Sequence, residues 1–97
     1  MTAMDLARSA ASDTSPPAGI SDLARTLWFA KAGHWDAAHD LCQNIPGDAG
    51  AWIHAYLHRE ERDASNAAYW YSRAGKTMPA PTVSTADEWS AIATELL

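Results

Sequence analysis

From Ile20 onward, apolar residues return every three or four positions, and glycines and prolines cut this pattern into short pieces. Leu23, Ala24, Leu27 and Trp28 open the first piece, and Gly33 closes it. Ala38, Leu41, Cys42 and Ile45 form the second, which Pro46 and Gly47 stop. Trp52, Ile53, Tyr56 and Leu57 mark the third, and Ala67, Trp70, Tyr71 and Ala74 the fourth, ended by Gly75. After the proline-containing stretch TMPAPT, a last stripe carries Trp89, Ile92, Ala93 and Leu96. No stretch alternates apolar and polar residues with a period of two. The chain is therefore expected to be all-α, with helices over 21–32, 35–44, 49–61 and 64–75, and a closing helix after residue 84.

The expected caps fit these boundaries. Ser21 caps the first helix with Ile20 as a hydrophobic staple, and Asp48 caps the third. Asp63 or Ser65 serves the fourth, and Ser84 or Thr85 the last. Thr85-Ala86-Asp87-Glu88 has the spacing of a capping box. Residues 1–19 are rich in Ala, Ser and Thr and end in Pro16, Pro17 and Gly19. Leu6 and the alanines favour a transient helix around Ala3–Ala11, but with too few large apolar residues to dock the segment reads as a flexible arm, leaving 20–97 as a single domain.

Composition narrows the classes of function. At 97 residues the chain is one small domain. Cys42 is the only cysteine, so no internal disulfide forms, and a reducing, cytoplasmic setting is expected. The net charge of −5, with seven scattered Lys and Arg, argues against nucleic acid, which needs a basic face. No apolar stretch is long enough to cross a membrane, and the N-terminus lacks the apolar stretch of a secretory signal.

Sliding the chain by 29 residues gives a partial self-match. Leu23 falls on Trp52, Ala24 on Ile53, Leu27 on Tyr56 and Trp28 on Leu57. In the partner helices Ala38 falls on Ala67, Cys42 on Tyr71 and Ile45 on Ala74. Large residues in one helix facing a small residue in the next let antiparallel helices approach closely. The stretch AGHWDAAHDLCQNI, with Gly33, Trp35 and Ala38 at turn-glycine, turn-aromatic and small-residue positions, resembles the helix-turn-helix unit of the tetratricopeptide-repeat family. RDASNAAYWYSRA matches through Ala67, Tyr71 and Ala74, with Arg62 in place of the turn glycine and Ala64 in place of the aromatic. The spacing departs from the family's period of about 34 residues, so the likeness is degenerate. It implies two antiparallel helix pairs in a right-handed stack, closed by a C-terminal capping helix. A second copy covering the open end would make a homodimer. The segment WIHAYLHREERDASNAAYWYSRAGK is also similar to small bacterial and fungal proteins that share an HAYLHR…NA.YWY…AG segment, a likeness that implies no activity.

That segment holds the one candidate site. His54, His58 and Glu61 fall within about 60° of one another on a helix at about 100° per residue. Two imidazoles and a carboxylate on one face suit Zn²⁺ or Fe²⁺. Against a metal, Glu61 is about 10 Å along the axis from His54. The glutamate directly after the first histidine of the metalloprotease pattern is here Ala55. His34 and His39 do not visibly join the set. No metal or cofactor is therefore expected, and no enzyme: Cys42 lies on an apolar stripe, where cysteine behaves as a small hydrophobe. The expected function is a non-catalytic protein–protein interaction module binding a protein or peptide. Its groove would use Arg25, His54, His58 and Arg59 for polar contacts and Trp28, Tyr56 and Tyr69 for apolar ones. The alternative is a small-molecule or metal-binding protein, or an enzyme, using His54, His58 and Glu61.

Overall fold

A computed structural model describes residues 1–97 as six helices and no strands: α1 (Ala3–Ser12), α2 (Asp22–Lys31), α3 (Trp35–Cys42), α4 (Gly47–Glu60), α5 (Ala64–Ala74) and α6 (Thr85–Leu96). The caps are local chemistry. Ser21 accepts from the Ala24 amide, Asp63 from Asn66 and Ser84 from Asp87. Each meets an amide that the first helical turn leaves without a partner. Helix α4 departs from expectation. It starts at Gly47 behind Pro46, and Asp48 lies in its first turn rather than capping it.

The two turns joining α2 to α3 and α4 to α5 match at a spacing of 29 residues. Gly33 takes the left-handed conformation at φ +86°, and Arg62 does so at φ +63°. The amide of His34 donates to Phe29 and that of Gly33 to Ala30; the amide of Asp63 donates to His58 and that of Arg62 to Arg59. Such left-handed turns close helices by returning amides to the last free carbonyls. Arg62 holds this shape without glycine's freedom, at a conformational cost of about 1–2 kcal/mol. Ala38 and Ala67, 29 apart, are both fully buried.

Helix α4 runs through the middle of the molecule. Every residue from Gly50 to His58 is buried, so the helix has no solvent face along that stretch. It packs chiefly on α5, with α3 and α6 against other sides. A helix covered on every side is a core helix, with the others packed around it. The stripe Trp52, Ile53, Tyr56 and Leu57 is buried as expected. The gap in that expectation was the rest of the circumference, where Ala51, His54, Ala55 and His58 are buried as well.

Helix α6 is locked to this centre by charge. Arg59 on α4 donates to Glu88 at 2.9 Å, and the Tyr71 hydroxyl of α5 donates to the other Glu88 oxygen at 2.5 Å. Arg59 also donates to the Val83 carbonyl. Glu88 is 4% exposed, and a carboxylate that deep requires partners on both oxygens. It therefore does not serve the capping box its spacing suggested; Ser84 alone caps α6. The same burial, with the bond to Glu88, pushes the Tyr71 hydroxyl above its ordinary pKa. Trp89 adds a long-range tie, donating from its indole to the Leu27 carbonyl at 2.9 Å.

The N-terminal residues differ from the flexible arm expected of them. Residues 3–12 form a helix opened by a reciprocal capping box between Thr2 and Asp5. Leu6 is fully buried, and Ser9 accepts from the Trp28 indole at 3.0 Å. Leu6 seats against α2 and α6, and Ala3, Ala7 and Ala10 pack on the same core beside it. No helix is long and apolar enough to cross a membrane.

Docking of α1 makes a measurable difference. Leu6→Ala should lower unfolding stability by about 2–5 kcal/mol, as for other fully buried leucines. Urea denaturation followed by tryptophan fluorescence reads this out. A change under about 0.5 kcal/mol, typical of a surface site, would instead mean that residues 1–19 behave as a free arm.

Candidate functional site: a histidine cluster between two helices

Helix α4 turns about 100° per residue, so residues four apart stand one above the other. His54 and His58 do so, with rings stacked 4.9 Å apart at 22°. Both are over nine-tenths buried, with 7% and 8% of their surface exposed. The third ring comes from the facing helix. His39 on α3 brings its Nε2 to 3.0 Å from Nε2 of His54, and its ring centre lies 5.4 Å from that of His58. His39 thus joins the set from which the sequence had left it out. Exposed His34 sits at the start of α3 and makes no capping bond.

Aromatic walls and one carboxylate fix these rings. Trp35, one turn before His39 on α3, stacks on it at 4.7 Å and 12°. The Trp35 indole donates to the Leu57 carbonyl at 2.7 Å, tying α3 to α4. Trp70 of α5 lies flat beneath His54 at 3.9 Å and 13°. His58 Nδ1 pairs with Glu61 at 2.6 Å. A neutral imidazole carries one N–H and one lone pair, so donation from Nδ1 to a carboxylate leaves the lone pair on Nε2. Glu61, expected as a third ligand, is instead the partner that orients a histidine.

The cluster has definite electrostatics. Burial, then the neighbouring His39 and His58, pushes His54 down to about 4. The short His39–His54 contact agrees with this, because two facing Nε2 atoms at 3.0 Å accommodate one proton between them and not two. Burial, then Asp40, raises Cys42 to about 12, so its thiol stays protonated at neutral pH and is a poor nucleophile.

Beside the cluster a cleft of about 490 Å³ opens between the end of α3, the first turns of α4, and α5. His54 and Trp70 form its inner wall, and Arg73, Asp48 and Ile45 stand around it. Arg73 lies over the rings of Tyr69 and Trp70 at 5.7 and 5.4 Å and donates to the Tyr69 hydroxyl at 3.0 Å.

The groove expected from the sequence is not assembled as one surface. Trp28 and Tyr56 are 1% and 3% exposed and belong to the core. Arg59 is committed to Glu88, while Arg25 pairs weakly with Asp22 on α2 at 3.4 Å. His54 and His58 are together in the cluster, and Tyr69 alone of the expected apolar contacts is open to solvent. Comparison with known proteins gives no match to a family model, a curated protein or a solved structure.

The depressed His54 sets a pH dependence. Unfolded, the ring titrates near its ordinary 6.5; folded, it titrates near 4. Its contribution to stability is therefore complete above about pH 6.5 and lost as pH falls toward 4, by on the order of 1 kcal/mol per pH unit. Urea midpoints between pH 7.5 and 4.5 should fall more steeply for the natural chain than for His54→Phe, which keeps a ring on Trp70 but cannot titrate. Equal slopes would show that His54 is not held neutral.

Proposed function

We propose that the chain is a non-catalytic, tetratricopeptide-like interaction module that binds a short peptide segment in the cleft beside His54. The observation that carries this reading is that Trp70 and Arg73 line a cleft of about 490 Å³ while Arg73 also stacks on Tyr69, which is 52% exposed beside it. Tyrosine, tryptophan and arginine are the residues that dominate binding at protein interfaces. Arg73 favours a carboxylate, and so does the adjacent N-terminus of α4, whose first amides have no side-chain cap. Ile45, Pro46 and the face of Trp70 suit an apolar side chain next to it. The segment sought therefore pairs an acidic group with an apolar one.

Support for the repeat comes from the matched turns at Gly33 and Arg62, the buried Ala38 and Ala67, and the preferential packing of α2 on α3 and α4 on α5. Together they support reading the pairs α2–α3 and α4–α5 as two copies of one helix-turn-helix unit of the kind that stacks in helical-repeat proteins. A buried, protonated Cys42 fits a chain that works in a reducing cytoplasmic setting.

Short synthetic peptides that place Asp or Glu beside Leu or Phe test this reading, with tryptophan fluorescence and calorimetry as readouts. Binding in the micromolar range is expected. Arg73→Ala and Tyr69→Ala should each weaken it about tenfold, roughly 1.4 kcal/mol, without loss of helix content. Absence of binding across such a set, or affinities untouched by both substitutions, would remove the basis for the cleft as a recognition site.

A further inference from the structure

We propose that His39, His54 and His58 bind one late first-row divalent metal ion, with Glu61 orienting His58 for the task. This inference is independent of the peptide reading, although both involve the wall formed by His54.

One ring nitrogen of each histidine lies within 4.8 Å of one on each of the others. A tetrahedral site with metal–nitrogen bonds of about 2.0–2.1 Å needs nitrogens about 3.3 Å apart. The 3.0 Å His39–His54 contact must open slightly, and the wider separations must close by up to about 1.5 Å. A small ring rotation at half-buried His39 changes its distance to both of the other rings, and side-chain adjustment on α4 sets the His54–His58 separation.

The chemistry of the set suits such an ion. Imidazole ligates only through an unprotonated nitrogen, and each ring has one to offer in its neutral form. The proton between the two Nε2 atoms lies where a cation would sit. Binding moves it to the other nitrogen of the donor ring and frees that lone pair, with no net proton release. Glu61 on His58 Nδ1 reproduces the carboxylate–histidine pair found behind metal ligands, which fixes the ring and raises its basicity. Three neutral nitrogens select Zn²⁺, Co²⁺, Ni²⁺ or Cu²⁺ over Mg²⁺ or Ca²⁺, which require oxygen. Trp35 and Trp70, stacked on His39 and His54, hold the rings from outside.

A second grouping, His58 with Glu61 and Asp63, is also close enough to hold an ion. It is the weaker site because Asp63 already accepts from the Asn66 amide and side chain to cap α5. It also offers one buried nitrogen with an exposed and a half-buried carboxylate near a helix end, in place of three imidazole nitrogens.

The test uses the full chain without a polyhistidine tag. Zn²⁺ is titrated by calorimetry, and Co²⁺ by the visible absorption of a four-coordinate ion. One ion per chain is expected. His39→Ala should weaken binding more than tenfold with unchanged helix content; His39→Phe, which keeps the ring on Trp35, gives the same readout should the alanine variant loosen α3. Glu61→Gln should weaken binding about 10–100-fold. Asp63→Asn preserves the cap and should leave binding unchanged. No binding of Zn²⁺ or Co²⁺ by the folded chain overturns the proposal. So does an affinity in both His39 variants equal to that of the natural chain, or a loss confined to Asp63→Asn.

Discussion

The structure depends on the complete enclosure of α4. A chain of this length has few fully interior positions, and nine consecutive ones are spent on Gly50 to His58. Around this axle the other helices find their places. Helix α5 lays Ala67, Tyr71 and Ala74 along it, α3 ties on through Trp35 to Leu57, and α6 is held through Glu88 to Arg59. Gly50 belongs to the same constraint. A side chain there would collide with the carbonyl of Ile45, so glycine lets the chain turn tightly into α4.

Enclosure also explains the chemistry at the surface of the axle. An all-apolar central helix would be the simplest solution, yet His54 and His58 occupy two of its buried positions. One nitrogen of each is paired, His54 Nε2 with His39 and His58 Nδ1 with Glu61, and no fully buried side-chain nitrogen or oxygen lacks a partner. A satisfied cluster of this kind is compatible with a purely structural role. What favours binding is the convergence of three ring nitrogens from two helices, backed by one carboxylate and framed by two indoles. Packing alone does not require that convergence.

Local signals carried most of the fold. Spacing of apolar residues, Ser21, Asp63 and Ser84 as caps, and the breaks at Gly33, Pro46 and Gly75 placed five helices to within a few residues, because each acts within one helical turn. Long-range pairings were hidden for a common reason. Glu88 satisfied a local capping-box spacing, but its partner Arg59 lies 29 residues earlier. Leu6 looked too solitary to dock until α2 and α6 provided a seat. His39 precedes His54 by 15 residues on another helix. Its one sequence signal was Trp35 four positions before it, a pair that stacks on a helix face. Trp28 and Tyr56 were read as groove residues because periodicity gives a stripe and does not say that a helix is covered on every side.

Native-state hydrogen exchange tests the central role of α4 most directly. The amides of Trp52 to Leu57 should be the slowest in the molecule, opening only with global unfolding, while those of α1 exchange through smaller openings. Amides in α4 that exchange as fast as those of α1, through local opening at low denaturant, would contradict an enclosed helix on which the rest is assembled.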